Sequence, residues 1–339
     1  MIDSIGHRSW KPQTTSCTTG IGSVERRRNQ PVKLNHPYVE CMPRLRSILS
    51  VPGHSAKMQA KALQNTADLV MFDLEDSVSL AEKEAARQQV ITTLKDLPEH
   101  HPRLALRCNG LETAWFYRDV IEILEAAVDR VSVLVIPKIE NAGDVACFSR
   151  LLDGIERHTK VQQTIRLHAC IESPPGLVQS EAIATASSRL EALVFGIADY
   201  SRAIGSPLVS LSGHGENEDL VYSGDRWHYV LSRLVAAAKS VGLQAIDAPY
   251  GNFRDITGLK QSATQARALG CDGKWAIHPE QLDVIQQVFS PTTAEIELAQ
   301  RVLETAQAAE KQGLGAVAVD GRMIDQATVQ LVRKVLGED

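Results

Sequence analysis

The sequence predicts an α/β protein built on a (β/α)8 TIM barrel with a C-terminal helical extension, and three observations carry that prediction. From Arg44 onward, short apolar and β-branched runs alternate eight times with longer segments of helical period. The runs are apolar at consecutive positions, as parallel strands buried on both faces require. The eight repeats occupy roughly 230 residues, the usual span of such a barrel. An open doubly wound sheet is the runner-up, but no G-x-G-x-x-G opens a helix after the first run.

In chain order the strands are expected at 47–51, 69–72, 104–106, 131–136, 165–171, 193–195, 243–246 and 274–277. Between them, 56–65, 80–94, 116–128, 227–241 and 257–269 repeat apolar residues at i, i+3, i+4 and i+7, the signature of an amphipathic helix. After the eighth strand come a helix over 293–311, a turn at Gly313 and Gly315, an apolar run at 316–319, a turn at Asp320-Gly321 and a last helix near 326–336. The expected organisation is a poorly structured segment 1–43, a barrel over 44–290 and an extension over 291–339 that can fold over the barrel mouth or reach a neighbouring subunit. Residues 1–40 are rich in Ser, Thr, Gly, Asn and Arg, with Arg26-Arg27-Arg28 and no apolar core of a secretory signal. A loosely docked tail is favoured there over a targeting peptide.

Composition narrows the function. The net charge of −5 gives no basic excess for nucleic acid. No apolar run approaches the roughly 20 residues needed to span a bilayer. The six cysteines, Cys17, Cys41, Cys108, Cys147, Cys170 and Cys271, form no C-x-x-C pair and no Cys/His cluster. They read as thiols in a reducing, cytoplasmic setting.

In a (β/α)8 barrel the chemistry sits at the C-terminal strand ends. The expected ends carry Asp73-Leu74-Glu75-Asp76, Arg107-Cys108-Asn109, Pro137-Lys138, Glu172, Asp199, Asp247 and His278-Pro279. Glu172 and Asp199 end adjacent strands, an arrangement that suits Mg2+ held by two carboxylates with water and substrate oxygens beside them. Each could instead cap a helix or pair with a loop arginine. Arg107 suits a carboxylate or a developing enolate, and it can also neutralise the Asp73, Glu75 and Asp76 cluster; the two roles are compatible. Lys138 offers a Schiff-base amine, although its place at the start of a loop argues against that use. His278 reads as a structural histidine before an acid or base. The polar stretch 205–224 has glycines but no G-K-[ST], so it reads as a lid and not as a phosphate loop.

Eight short motifs then occur in order: R-S-I-L-S-V-P-G at 46–53, D-L-V-M-F-D-L-E-D-S-V at 68–78, L-R-C-N at 106–109, I-P-K-I-E at 136–140, I-E-S at 171–173, F-G-I-A-D-Y at 195–200, G-K-W-A-I-H-P at 273–279 and D-G-R-M-I-D at 320–325. Together they resemble the citrate lyase β-subunit and malyl-CoA lyase (HpcH/HpaI aldolase) family. G-D-R-W-H-Y at 224–229 is closer to its malyl-CoA lyase-like members. The resemblance implies Mg2+, with Mn2+ as a substitute, coenzyme A as part of the substrate, and a homotrimer or homohexamer. It implies carbon–carbon cleavage or formation of a 3-hydroxyacyl-CoA such as malyl-, β-methylmalyl- or citramalyl-CoA, with acetyl- or propionyl-CoA and a 2-oxo acid such as glyoxylate or pyruvate as partners. Carried over by motif, Glu172 and Asp199 match the metal ligands, and Glu75 and Asp76 the acidic pair that supports the metal. Arg107 matches the arginine on thioester and keto-acid, and Asp325 the catalytic acid–base, commonly brought across a subunit interface. Arg46, Lys57 and Pro279 resemble substrate- and CoA-binding positions. Ser50 and Ala248 depart from the residues common at their positions. Two alternatives stay open: a malyl-CoA thioesterase, and a citrate lyase β-subunit acting in a larger complex.

Overall fold

The computed structural model describes residues 43–208, 213–216, 222, 224–313 and 315–337. The expected N-terminal segment 1–43 lies, apart from Pro43, outside the described residues.

Eight parallel strands close on themselves in sequence order: β1 (Ser47–Pro52), β2 (Leu69–Asp73), β3 (Leu104–Arg107), β4 (Val133–Ile136), β5 (Arg166–Ile171), β6 (Leu190–Phe195), β7 (Gln244–Asp247) and β8 (Gly273–Ala276). Closure is made by β1 on β8, with Ile48 opposite Trp275 and Leu49 opposite Ala276. This is the (β/α)8 barrel that the alternating runs predict.

The two-residue period of a strand sorts its side chains. One row points into the barrel and packs as a small inner core of Ile48, Leu69, Met71, Ala105, Val133, Val135, Cys170, Ala192, Val194, Ile246 and Trp275. The other row, including Val70, Phe72, Leu106, Leu134, Ile171, Leu193 and Phe195, packs beneath the helices as the main core. Those helices are α1 (Ala56–Ala62), α2 (Lys83–Lys95), α3 (Phe116–Ala127), α4 (Ala142–Thr159), α5 (Pro174–Val178), α6 (Ser180–Ala184), α7 (Ile197–Ala203), α8 (His228–Ser240), α9 (Ile256–Leu269) and α10 (Leu282–Val288). Continuing the inward row by one step past Met71, Ala105 and Cys170 reaches Asp73, Arg107 and Glu172. The fold therefore delivers three charged groups to one end of one tube.

Strand β6 begins at Leu190, three residues before its apolar run suggests. The polar Glu191 interrupts that run, yet it is buried in the structure. Arg103 forks onto it at 2.7 and 2.6 Å, and the β5–β6 register shifts beside it.

The extension packs around a small hydrophobic cluster of its own. Helix α11 (Thr293–Lys311) starts at a Thr292–Glu295 capping box. It is followed by a two-stranded hairpin, β9 (Val317–Val319) and β10 (Arg322–Ile324), and by α12 (Gln326–Leu336). Asp320 and Gly321 both adopt positive φ, 49° and 74°, as the tight turn between right-twisted strands demands. Ala299, Val302, Ile324, Val329 and Val332 make the hairpin–helix core. Arg267 on α9 ties α11 to the barrel through Glu295 at 2.8 Å.

Candidate active site

Arg107 is the centre of the charged end. Its Nε and Nη2 donate to the two oxygens of Asp73, both at 2.6 Å, and its Nη1 lies 2.9 Å from Glu75. The face of its guanidinium lies over the Trp275 ring, 5.1 Å from the centroid. Burial opposes the charge on Arg107, but Asp73 prevails and holds the guanidinium well above its ordinary pKa. Burial likewise works against the Asp73 carboxylate, and Arg107 overrides it, so Asp73 titrates below the usual range. Further Nη1 and Nη2 hydrogens on Arg107 remain beyond those engaged by Asp73 and Glu75. The ion-pair reading of Arg107 is therefore present in the geometry: it neutralises the acidic cluster.

The D-L-E-D turn is braced from behind. Lys83 donates to the carbonyls of Leu74 and Glu75 at 2.7 and 2.6 Å. Asn109 donates to the Leu74 carbonyl at 3.1 Å and is held by Asp119, which pairs in turn with Arg87 at 2.9 Å. Motif residues that carry no chemistry themselves therefore fix the ones that do.

Glu172 is buried at the top of β5. Its Oε2 has no hydrogen-bond partner among the described residues. Burial, and next the charge of Glu75, push its carboxyl up to about 8. Gly196 makes the room, since a Cβ there would lie 2.2 Å from Glu172 Cγ. Asp199 does not end β6 as expected. It sits half-buried in the first turn of α7, one turn beyond the strand, and pairs with Arg202 at 2.7 Å. An orphaned buried carboxylate oxygen beside a second carboxylate fits a hard dication such as Mg2+. No group of three or more His, Cys, Asp or Glu among the described residues converges for a metal. Two protein carboxylates, with water and substrate oxygens, are the donor set these residues offer.

Glu75 is buried, while Asp76 is largely exposed, 3.9 Å from Arg107 and 4.0 Å from Lys138. Lys138 donates to Glu75 Oε1 at 2.6 Å. Burial would lower its pKa, but Glu75 raises it well above the ordinary lysine value. The pairing with Glu75 favours the cation, whereas a Schiff-base amine must be neutral.

Lys57 is exposed in the first turn of α1, just past the mouth end of β1, and Pro279 opens the turn after β8. Arg46 requires a correction. It precedes β1 and so stands at the opposite end of the barrel, about 20 Å of strand away from Gly53. There it forks onto Asp68 at 3.0 and 2.8 Å and reaches Ser290 at 2.9 Å, a structural tie and not a CoA contact. His278 accepts from the Glu280 amide and stacks on Phe253 at 4.4 Å, as a structural histidine does.

Asp325 caps α12 by accepting from the Thr328 amide and hydroxyl at 2.9 and 3.0 Å. It is exposed, and those hydrogen bonds hold its carboxyl below the usual range. Within one chain it lacks the burial that an α-proton base needs. Sequence reasoning passed over two residues of the mouth: Trp275 as the platform of Arg107 and Gly196 as the space for Glu172.

The chain is 35% identical over 284 residues to L-malyl-CoA/beta-methylmalyl-CoA lyase of Rhodobacter capsulatus, covering 82% of this chain and 89% of that protein. It is 34% identical to citrate lyase subunit beta of Escherichia coli, covering 86% and 92%. Its fold matches CitE of Mycobacterium tuberculosis, solved in complex with magnesium, acetoacetate and coenzyme A, with a TM-score of 0.70 and 28% identity over 87% of this chain and 98% of that one. Residues 46–279, which hold all eight strands and the mouth residues from Asp73 to Pro279, match the HpcH/HpaI aldolase/citrate lyase description. The chain belongs to the HpcH/HpaI aldolase/citrate lyase family.

Proposed function

We propose that this protein is an Mg2+-dependent carbon–carbon lyase that cleaves or forms 3-hydroxyacyl-CoA thioesters of the malyl-CoA type. Its products are acetyl- or propionyl-CoA and a short 2-oxo acid such as glyoxylate or pyruvate. The observation that carries the reading is the orphaned, buried carboxylate oxygen of Glu172, a few strands around the barrel from an Arg107 that retains donors for an anion. The lyases and the magnesium- and coenzyme A-bound structure among its relatives support it.

Glu172 and Asp199 would hold the metal. Bound there, Mg2+ supplies Lewis acidity to the hydroxyl and keto oxygens of the substrate. Arg107, pinned on Asp73 and flat on Trp275, presents preorganised donors to the carboxylate and to the thioester enolate left by C–C scission. Glu75 and Asp76 supply the negative surroundings of the metal. Lys57 and Pro279 flank the entrance and receive the CoA portion.

Asp325 is the acid–base that exchanges the α-proton of the acyl-CoA. Because it is exposed in its own chain, it reaches the mouth of a neighbouring subunit in a homotrimer or homohexamer. Covering it there supplies the desolvation that raises a carboxylate's basicity. No helix among the described residues is long and apolar enough to cross a membrane, and the cysteine usage supports a cytoplasmic setting. The test is turnover of a panel of acyl-CoA donors against glyoxylate, pyruvate and oxaloacetate. Activity should vanish with EDTA and return with Mg2+; EDTA-resistant turnover would refute the metal assignment.

A further inference from the structure

Lys138 is held in a backbone conformation that L-residues avoid, with φ at 54°. Both sides of it are tied. Pro137 is buried, and the Ile139 amide donates to the Cys170 carbonyl at 3.2 Å. The Ile139 carbonyl lies 2.5 Å from where a Cβ on Gly176 would stand. This kink at the exit of β4 sends the lysine side chain past β3 to the loop after β2. There Lys138 donates to Oε1 of Glu75 at 2.6 Å, while Arg107 Nη1 lies 2.9 Å from Oε2 as an ion pair that makes no hydrogen bond. Glu75 thus stands between two cations, hydrogen-bonded to Lys138 and ion-paired with Arg107, and both cations are themselves fixed. Glu75, Arg107 and Glu172 stand at the C-terminal ends of β2, β3 and β5 and so share the barrel mouth. A glutamate at the same mouth as a metal ligand competes for the same metal unless something restrains it.

We propose that Lys138 is a positioning residue that clamps Glu75 against Arg107, so that Glu75 supports the Mg2+ site from outside instead of entering it as a third carboxylate ligand. The chemistry gives the clamp a purpose. Mg2+ tolerates few protein carboxylates when it must also keep octahedral positions for substrate oxygens and water. A third carboxylate would bind the metal more tightly and fill a position that the substrate needs. Lys138 therefore trades metal affinity for turnover. The proposal rests on the placement of the metal at Glu172 and Asp199.

The test compares K138G, K138R and the K138G/E75Q double variant by calorimetric titration with Mg2+ alone and by steady-state kinetics. Glycine accepts a positive φ without strain, so K138G removes the ammonium while keeping the turn. In K138G the Mg2+ dissociation constant should fall about threefold or more, and kcat should fall about 10- to 100-fold. K138R keeps the charge and should return both quantities toward wild type. In K138G/E75Q the tightening should vanish, because the neutral amide is a poor Mg2+ ligand. Weaker or unchanged Mg2+ affinity in K138G, an unchanged kcat, or a tightening that survives E75Q overturns the clamp. E172Q separates the two claims. If it binds Mg2+ as well as wild type, the metal placement itself is wrong; if it loses Mg2+ while K138G fails to tighten, only the clamp is.

Discussion

Gly196 faces Glu172 so closely that a β-carbon on it would lie 2.2 Å from Glu172 Cγ. The backbone of Gly196 has an ordinary φ of −103°, so the demand for glycine there is one of space alone. G196A should therefore fold and yet push Glu172 off its position. Mg2+ affinity or kcat/KM should drop about 10- to 100-fold, the usual penalty for misorienting a metal ligand. Titration with Mg2+ and steady-state kinetics check this. Wild-type values in both would show that Glu172 has no fixed position to lose.

Metal binding should depend on pH through the same carboxyl. Glu172 titrates near 8 in the metal-free protein, first because it is buried and next because Glu75 is near. Mg2+ needs the carboxylate, so binding below pH 8 releases a proton, and affinity weakens by up to about tenfold per pH unit as pH falls. The stability sign follows the same shift. A carboxyl raised from 4.5 to about 8 on folding contributes stability below 4.5 that is lost as pH rises through 8. The difference in Tm between wild type and E172Q, followed from pH 4 to 9 in EDTA, should show that loss, and added Mg2+ should reverse it. A pH-independent Mg2+ affinity would contradict the assignment.

The Arg107–Asp73 fork carries both stability and function. D73N leaves Arg107 charged and only partly paired in a buried place, which costs about 3–5 kcal/mol. Denaturant unfolding should show that loss directly. R107K keeps a charge but cannot reproduce the planar fork or lie flat on Trp275. Its kcat should fall about 100- to 1000-fold with much smaller change in Tm. A D73N protein as stable as wild type would mean that the pair is dispensable.

The barrel was legible in the sequence because its strands are apolar on both faces, and residues such as Leu69 to Phe72 have no other use. What escaped was whatever depended on direction. Arg46 and Gly53 are neighbours in one motif, yet a strand carries them to opposite ends of the barrel, so a motif read as a unit misplaced Arg46. Glu191 hid the start of β6, because nothing local announces that Arg103 will satisfy it. Asp199 lay one helical turn further than its strand implied. The partnership of Asp73 with Arg107, by contrast, was an expectation of the sequence, since both end neighbouring strands. The Lys138 clamp was not, since a positive φ at a lysine has no compositional signal. Asp325 was legible as a position through its motif, but its exposure in its own chain appears only once the hairpin and α12 are folded.

Asp325 can be tested without disturbing the fold. Asparagine caps helices as well as aspartate does, so D325N should keep α12, Mg2+ binding and thioester binding. It should lose about 100- to 10,000-fold in kcat, the range of a general acid–base. If the residue acts across a subunit interface, mixing D325N with E172Q and allowing exchange should restore part of the activity, because some mouths then carry one intact Glu172 and one intact Asp325. Near wild-type turnover by D325N alone would make the extension structural.

The central claim is that this mouth breaks a carbon–carbon bond and leaves the thioester intact. The most direct measurement is product analysis by mass spectrometry after incubation of the purified protein with Mg2+ and malyl-CoA. The lyase reading predicts acetyl-CoA and glyoxylate in equal amounts, with no free CoA; free malate and CoA without acetyl-CoA would contradict it and make the protein a thioesterase.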